Sequence, residues 1–295
     1  MKNSSFLRLT VLFAFALCLA SPKAAFGSFD TFSVGGNADT ASIQPTVDSF
    51  RATLGGVNNG NAPGPLGSGR REINWDGGGS SATTMTGTPL SAFQNTRGAL
   101  FTTPGTGFVQ APPSGFDTTF GNPTYSSTFS PFSQLWMFSA IGSNIIDVLF
   151  FVPGSGGAAA ATVSGFGAVF LDVDLANTTQ LQFFDIGNNL IFNASVPAAS
   201  VASGGLSFLG GIANAGEQIS RVRITTGNSA LGPNDGGGVD VVALDDFIYA
   251  EPIPEPSSMA LLGMLLLSAY GVALAGRTPL VRAFCHGSKR PRGSR

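Results

Sequence analysis

The sequence predicts an all-β protein: an antiparallel β-sandwich, jelly-roll-like, over residues 28–250, followed by a single membrane-spanning helix near the C-terminus. Three observations carry this. Apolar residues recur with period two in short runs and hardly at all with the helical period of 3.6. Clusters of Gly, Asn, Pro and Ser separate the runs at the spacing of strand-connecting turns. The 295 residues include 25 Phe and are 43% apolar, ample for a packed core, while 40 Gly supply turns. No unit of 20–50 residues repeats, which disfavours propellers and solenoids.

Residues 1–27 read as a signal peptide. Lys2 and Arg8 form a positive start, Leu9 to Ala20 an apolar run, and Ala25-Phe26-Gly27 a small-x-small cleavage site, so the body is exported. Residues 55–90 are crowded with Gly, Asn, Pro, Ser and Thr around the anchors Ile73 and Trp75, and read as a long loop. Strands are expected over 99–103, 134–140, 145–152, 165–175, 180–186, 190–196, 217–226 and 239–249. In the fourth, apolar residues fill both faces, as in a strand covered on both sides. Residues 251–258 form a Pro-rich stalk. Met259 to Ala275 are seventeen residues without a charge, about 25 Å as a helix, and define a transmembrane segment over 259–276. The basic residues of the tail, 277–295, keep that end cytoplasmic.

The charge balance is uneven. All 17 acids lie between Asp30 and Glu255, where six arginines are the only bases, leaving that stretch at −11. Nucleic acid and anionic membrane surfaces need clustered cations and are excluded as partners of the body. From Ser28 to Gly276 there is no His, Cys or Lys. Imidazole-assisted nucleophiles, thiolate or imidazole zinc sites, Schiff-base lysines and phosphate-binding loops of the Walker type each require one of these. Paired carboxylates remain possible, as in glycoside hydrolysis. Glu72 and Glu217 are the glutamates inside the domain, because Glu251 and Glu255 fall in the stalk.

Three groups of residues are candidates for binding. Trp75, beside Asn74, Asp76 and Arg71, has the makings of a sugar platform, an aromatic face next to hydrogen-bonding groups; a Trp plugging the end of the sheet reads the same way. Arg221 and Arg223 share one face of a strand and suit an acidic polysaccharide or, alternatively, pairing with nearby acids. Asp172 and Asp174 fall on the same face of an expected strand. A later group comprises Asp235 and Asp240 around a Gly triplet, with Asp245 and Asp246 near the end of the last strand. A structural calcium held by Asp172, Asp174, Asp240 and Asp246 is the cofactor that fits such acid-rich loops, since calcium takes 6–8 oxygen ligands with tolerant geometry.

Pro254-Glu255-Pro256, the apolar segment and the basic run after it resemble, in that order, the PEP-CTERM sorting signal of bacteria. The resemblance implies an exosortase-type processing enzyme as a partner and an inner-membrane-anchored precursor. It further implies a mature form, freed of residues 257–295, at the cell envelope or in the extracellular matrix. Nineteen residues follow Gly276, Cys285 and His286 among them, a longer end than such signals usually have. The body is similar to an uncharacterised exported bacterial family over Phe50-Arg51, Leu54-Gly55-Gly56, Gly69 to Gly77, Gly165 to Asp174, Arg221 to Thr225 and Leu244 to Phe247. Its Asp-Asp-Phe-Ile-Tyr end also resembles the last strand of carbohydrate-binding and laminin-G-like sandwiches. The expected function is thus a non-enzymatic exported envelope or matrix protein that binds exopolysaccharide. The alternative is a polysaccharide-cleaving hydrolase using Glu72 or Glu217 as general acid.

Overall fold

A computed structural model of the protein describes residues 27–77 and 83–255. The expected signal peptide, membrane segment and basic tail, and Pro256, lie outside the described residues. The chain divides into two units at Glu255, and the fold concerns the first. Its elements are β1 (Phe29–Gly35), α1 (Gln44–Leu54), β2 (Arg70–Ile73), β3 (Thr84–Gly87), β4 (Ala99–Thr102), β5 (Gly107–Ala111), α2 (Pro113–Phe120) and α3 (Tyr125–Thr128). There follow β6 (Met137–Ile141), β7 (Ile145–Phe150), β8 (Ala161–Thr162), β9 (Gly165–Leu171), β10 (Gln180–Phe184) and β11 (Leu190–Ser195). The last are β12 (Leu206–Ala213), β13 (Arg221–Thr225), β14 (Ala243–Ala250) and β15 (Ile253–Pro254).

The expected all-β sandwich is found. An eight-stranded sheet runs β1-β12-β9-β14-β6-β5-β3 with β2 also on β14, and a five-stranded sheet runs β11-β10-β13-β7-β4. Every strand pairing within them is antiparallel. The small sheet alternates cleanly: Val222 and Ile224 of β13, and Ile146 and Val148 of β7, point inward to the shared core, while Arg221, Arg223 and Asp147 lie on the other face. In the large sheet β9, β12 and β14 are buried on both faces almost throughout.

The second cover of the large sheet is helical. Val47 and Phe50 are the buried residues of α1, and Phe50 joins Phe116, Phe120, Tyr125 and Phe129 from the α2–α3 region in a core on the outer face of that sheet. The seat for α1 is made by glycine. A Cβ at Gly167 or Gly210 would stand 2.8 or 2.6 Å from the Phe50 ring, so side chains there would push the helix off.

Two sequence expectations are corrected here. Residues 55–90 are not one long loop: β2 pairs with β14 and β3 with β5. The strand is disguised because its inward alternate residues are Arg71 and Ile73, and a buried arginine reads as surface. Nor is 251–255 a free stalk. Glu251 is buried against Arg71, Ile253 and Pro254 pair with Thr162 and Ala161 of β8, and the Glu255 N–H donates to Ala160 O at 3.2 Å.

Candidate functional site

Two acidic centres flank the sheet, and they differ in whether their charges are matched. The first sits on a β-bulge. Between Leu244 and Phe247 the register of β14 against β9 shifts, and there the opposite neighbour of β14 changes from β6 to β2. Asp245, fully buried, accepts hydrogen bonds from the Phe132 and Ser133 N–H groups at 2.7 and 3.1 Å and from Ser133 Oγ at 2.9 Å. Asp246 pairs with Arg51 at 2.9 Å, and the same guanidinium meets Glu72 at 3.0 Å. Glu72 also receives Arg70 Nε at 2.5 Å. Burial, and the Asp246 charge after it, push the Asp245 carboxyl well above its ordinary range; burial raises Asp246 too, against the pull of Ser133 and Arg51. This centre ties a helix, two strands and a loop together.

Trp75 belongs to the same neighbourhood, and the platform reading is corrected. Its ring is 1% exposed and lies flat on Phe138 at 3.7 Å, with edges of Phe93, Phe101 and Phe247 around it. Its Nε1–H donates to Asp245 O at 3.1 Å. No ring face is open to a sugar, and the plug is what the chain builds. Asn74 is exposed, but Asp76 is engaged in closing the 133–136 loop, accepting from the Leu135 and Trp136 N–H groups at 3.1 and 2.9 Å.

Arg221 and Arg223 lie together on the open face of the small sheet, already paired. Asp147 accepts two hydrogen bonds from Arg223, both at 2.8 Å, and one from Arg221 at 3.1 Å. The Arg221 guanidinium also stacks 3.7 Å above the Phe184 ring. Glu217 accepts from Ser28 N and Ala215 N at 2.6 and 3.0 Å. Glu72 stands on β2 and Glu217 in the loop between β12 and β13, and neither lines the pocket described next.

The second acidic centre is a pocket of about 450 Å3 where the loop after β9 meets the loops before β12 and β14 and the α2–α3 turn. Asp172, Asp174, Asp235, Asn122, Asn234, Thr124, Thr128 and Ser203 provide its polar wall. The expectation that Asp172 and Asp174 share a strand face is corrected: β9 ends at Leu171, and Asp172 turns the chain with φ of 67°. Its N–H donates to Gly205 O at 2.8 Å and its Oδ1 accepts from Gly204 N at 2.9 Å. Asp240 stands behind the wall, accepting from Asp174 N at 3.1 Å and from the Thr178 hydroxyl. Asp246, the fourth expected calcium ligand, is committed to Arg51 at the bulge. Among the described residues no three acidic side chains converge as ligands of one metal ion. Asp235 was visible in the sequence as an acid beside a Gly triplet; Asn122, Thr124 and Thr128 carry no signal short of the fold.

Like charges crowd this pocket. Burial first, then the Asp174 carboxylate, lift the Asp172 carboxyl from 3.8 to about 7, with Asp235 and Asp240 adding to the effect and the Gly204 N–H opposing it. Burial and the neighbouring acids Asp240 and Asp235 raise Asp174 as well. A carboxyl raised on folding holds its proton better in the native state, so its ionisation costs stability as pH climbs from 3.8 towards 7. Asp172→Asn removes that cost while keeping the acceptor for Gly204 and a residue tolerant of the left-handed backbone. The variant is expected to melt higher at pH 8, by roughly 3–6 °C for about 1–2 kcal/mol. The advantage fades as pH falls through 3.8 and vanishes below about pH 3, where neither state is ionised. Melting curves at the two pH values check this.

Compared with protein families, curated proteins and solved structures, the chain matches none. What the fold and site define is a class: a helix-covered antiparallel β-sandwich with an acid-walled pocket among its end loops.

Proposed function

We propose that this chain is a non-enzymatic exported protein of the envelope or extracellular matrix, sorted through Pro254-Glu255-Pro256 and the segment after it, which binds polysaccharide. The sandwich in this reading is wound as a jelly roll, and residues 259–276 cross the inner membrane as a helix until an exosortase-type enzyme removes them. The observation that supports binding most is the end pocket, whose wall of carboxylates, amides and hydroxyls offers the hydrogen-bonding groups that sugar hydroxyls require. The carboxylates of the alternative hydrolase are engaged elsewhere, Glu72 by two guanidinium groups and Glu217 by two backbone N–H groups.

The test is to incubate the purified protein with the producing cell's own exopolysaccharide, following retention and reducing ends together. Retention without release is the expected result. Time-dependent release that disappears in Glu72→Gln or Glu217→Gln would overturn it in favour of the hydrolase. Intact-mass analysis of surface material addresses sorting, the expected mass lacking residues 257–295.

A further inference from the structure

We propose that the end pocket recognises a hydroxylated primary ammonium compound of the size of one hexosamine ring, so that the polymer bound is one bearing free amino groups. This deepens the polysaccharide reading and rests on it.

The inference begins with an exception. Buried carboxylates at the other centres meet a cation or several donors: Glu251 meets Arg71, Asp246 meets Arg51 through Oδ2 with its Oδ1 left unpaired, Asp147 meets Arg221 and Arg223, and Asp245 accepts from three donors. Asp172 is 2% exposed, yet only its Oδ1 is engaged, by the Gly204 N–H. Its Oδ2 takes no hydrogen bond from any described residue, and Asp172 forms part of the pocket wall. The charges that act on it, Asp174, Asp235 and Asp240, are all acidic, and among the described residues no Lys, Arg or His lines the pocket. A carboxyl set among like charges without a counter-charge is costly to ionise, and a cationic ligand supplies what the protein omits.

The pocket's size and lining select the kind of cation. At about 450 Å3 it is far larger than one bare ion needs, and its acids do not converge on a point. The hydroxyls of Thr124, Thr128 and Ser203 and the amides of Asn122 and Asn234 suit a ligand with several hydroxyl groups around its charge. Among the described residues Ala202 and Pro233 are the apolar members of the wall and no aromatic ring belongs to it, so the ligand is held by charge and hydrogen bonds rather than by stacking. An ammonium group against Asp172 and Asp174, with ring hydroxyls towards the rim, meets each of these features.

The experiment titrates the full chain with glucosamine and with N-acetylglucosamine at pH 7, two probes that differ chiefly in the charge at nitrogen. Glucosamine is expected to bind at least tenfold more tightly. Asp172→Asn and Asp174→Asn should each weaken it about tenfold, whereas Asp48→Asn, a charge change on the exposed side of α1, should leave it unaltered. Equal affinity for the two probes would overturn the proposal, as would glucosamine binding that survives Asp172→Asn in a variant whose melting curve shows it folded. Saturable binding of calcium alone, lost in the same variants and without binding of glucosamine, would overturn it in favour of a metal. Retention assays on a deacetylated and an acetylated hexosamine polymer separate the two ideas. If both polymers are retained equally, only the amine preference falls; if neither is retained while free glucosamine binds, the polymer reading falls and the site stands.

Discussion

Trp75→Ala is expected to lower stability by about 4 kcal/mol in denaturant unfolding. The ring is the meeting point of four phenylalanines, stacked on Phe138 at 3.7 Å and edge-on to Phe93 and Phe247. Its removal leaves a cavity that the surrounding strands of both sheets cannot close, and it orphans the bulge carbonyl of Asp245. A loss of less than about 1 kcal/mol would show that the ring is dispensable to the core.

Arg71→Ala should cost a comparable amount, about 3–5 kcal/mol, because it leaves a buried carboxylate without its cation. Arg71 is fully buried and donates to both Glu251 oxygens at 2.7 Å, and its third nitrogen reaches the carbonyls of Gly60 and Thr96 at 2.9 and 3.2 Å. The double variant Arg71→Met with Glu251→Leu removes both charges and fills the space. It is expected to be more stable than Arg71→Ala, though below the parent chain because those two carbonyls lose their donor. If the double variant is no better than the single one in denaturant melts, the cost comes from packing and not from an uncompensated charge.

The pair also shows where the sequence stops being readable. β9 was legible because both of its faces are apolar, so period and composition agree. β2 was not, since the identity of Arg71 as a core residue depends on a partner 180 residues away. Helix α1 carries only two buried side chains, and its seat is made by Gly167 and Gly210 in strands distant along the chain. Trp75 as plug or platform turned on what packs against the ring, information absent from its neighbours in sequence. At the end pocket, Asp172 and Asp174 were visible as a pair. Their grouping with Asp235, rather than with Asp246, is fixed by the bulge, which commits Asp246 to Arg51.

The way the chain leaves the sandwich has a mechanical consequence. β14 lies inside the large sheet, with β9 along one edge and β6 and β2 along the other. Beyond it Glu251 is gripped by Arg71, and Ile253 and Pro254 are laid on β8. Tension applied from Pro256 onwards therefore meets two fastenings before it reaches β14, and then a strand hydrogen-bonded on both sides. Such a strand cannot be unzipped along a single ladder, as an edge strand can. Force drawn through the C-terminal end of this sandwich is thereby delivered to a strand paired along both edges rather than to an edge strand.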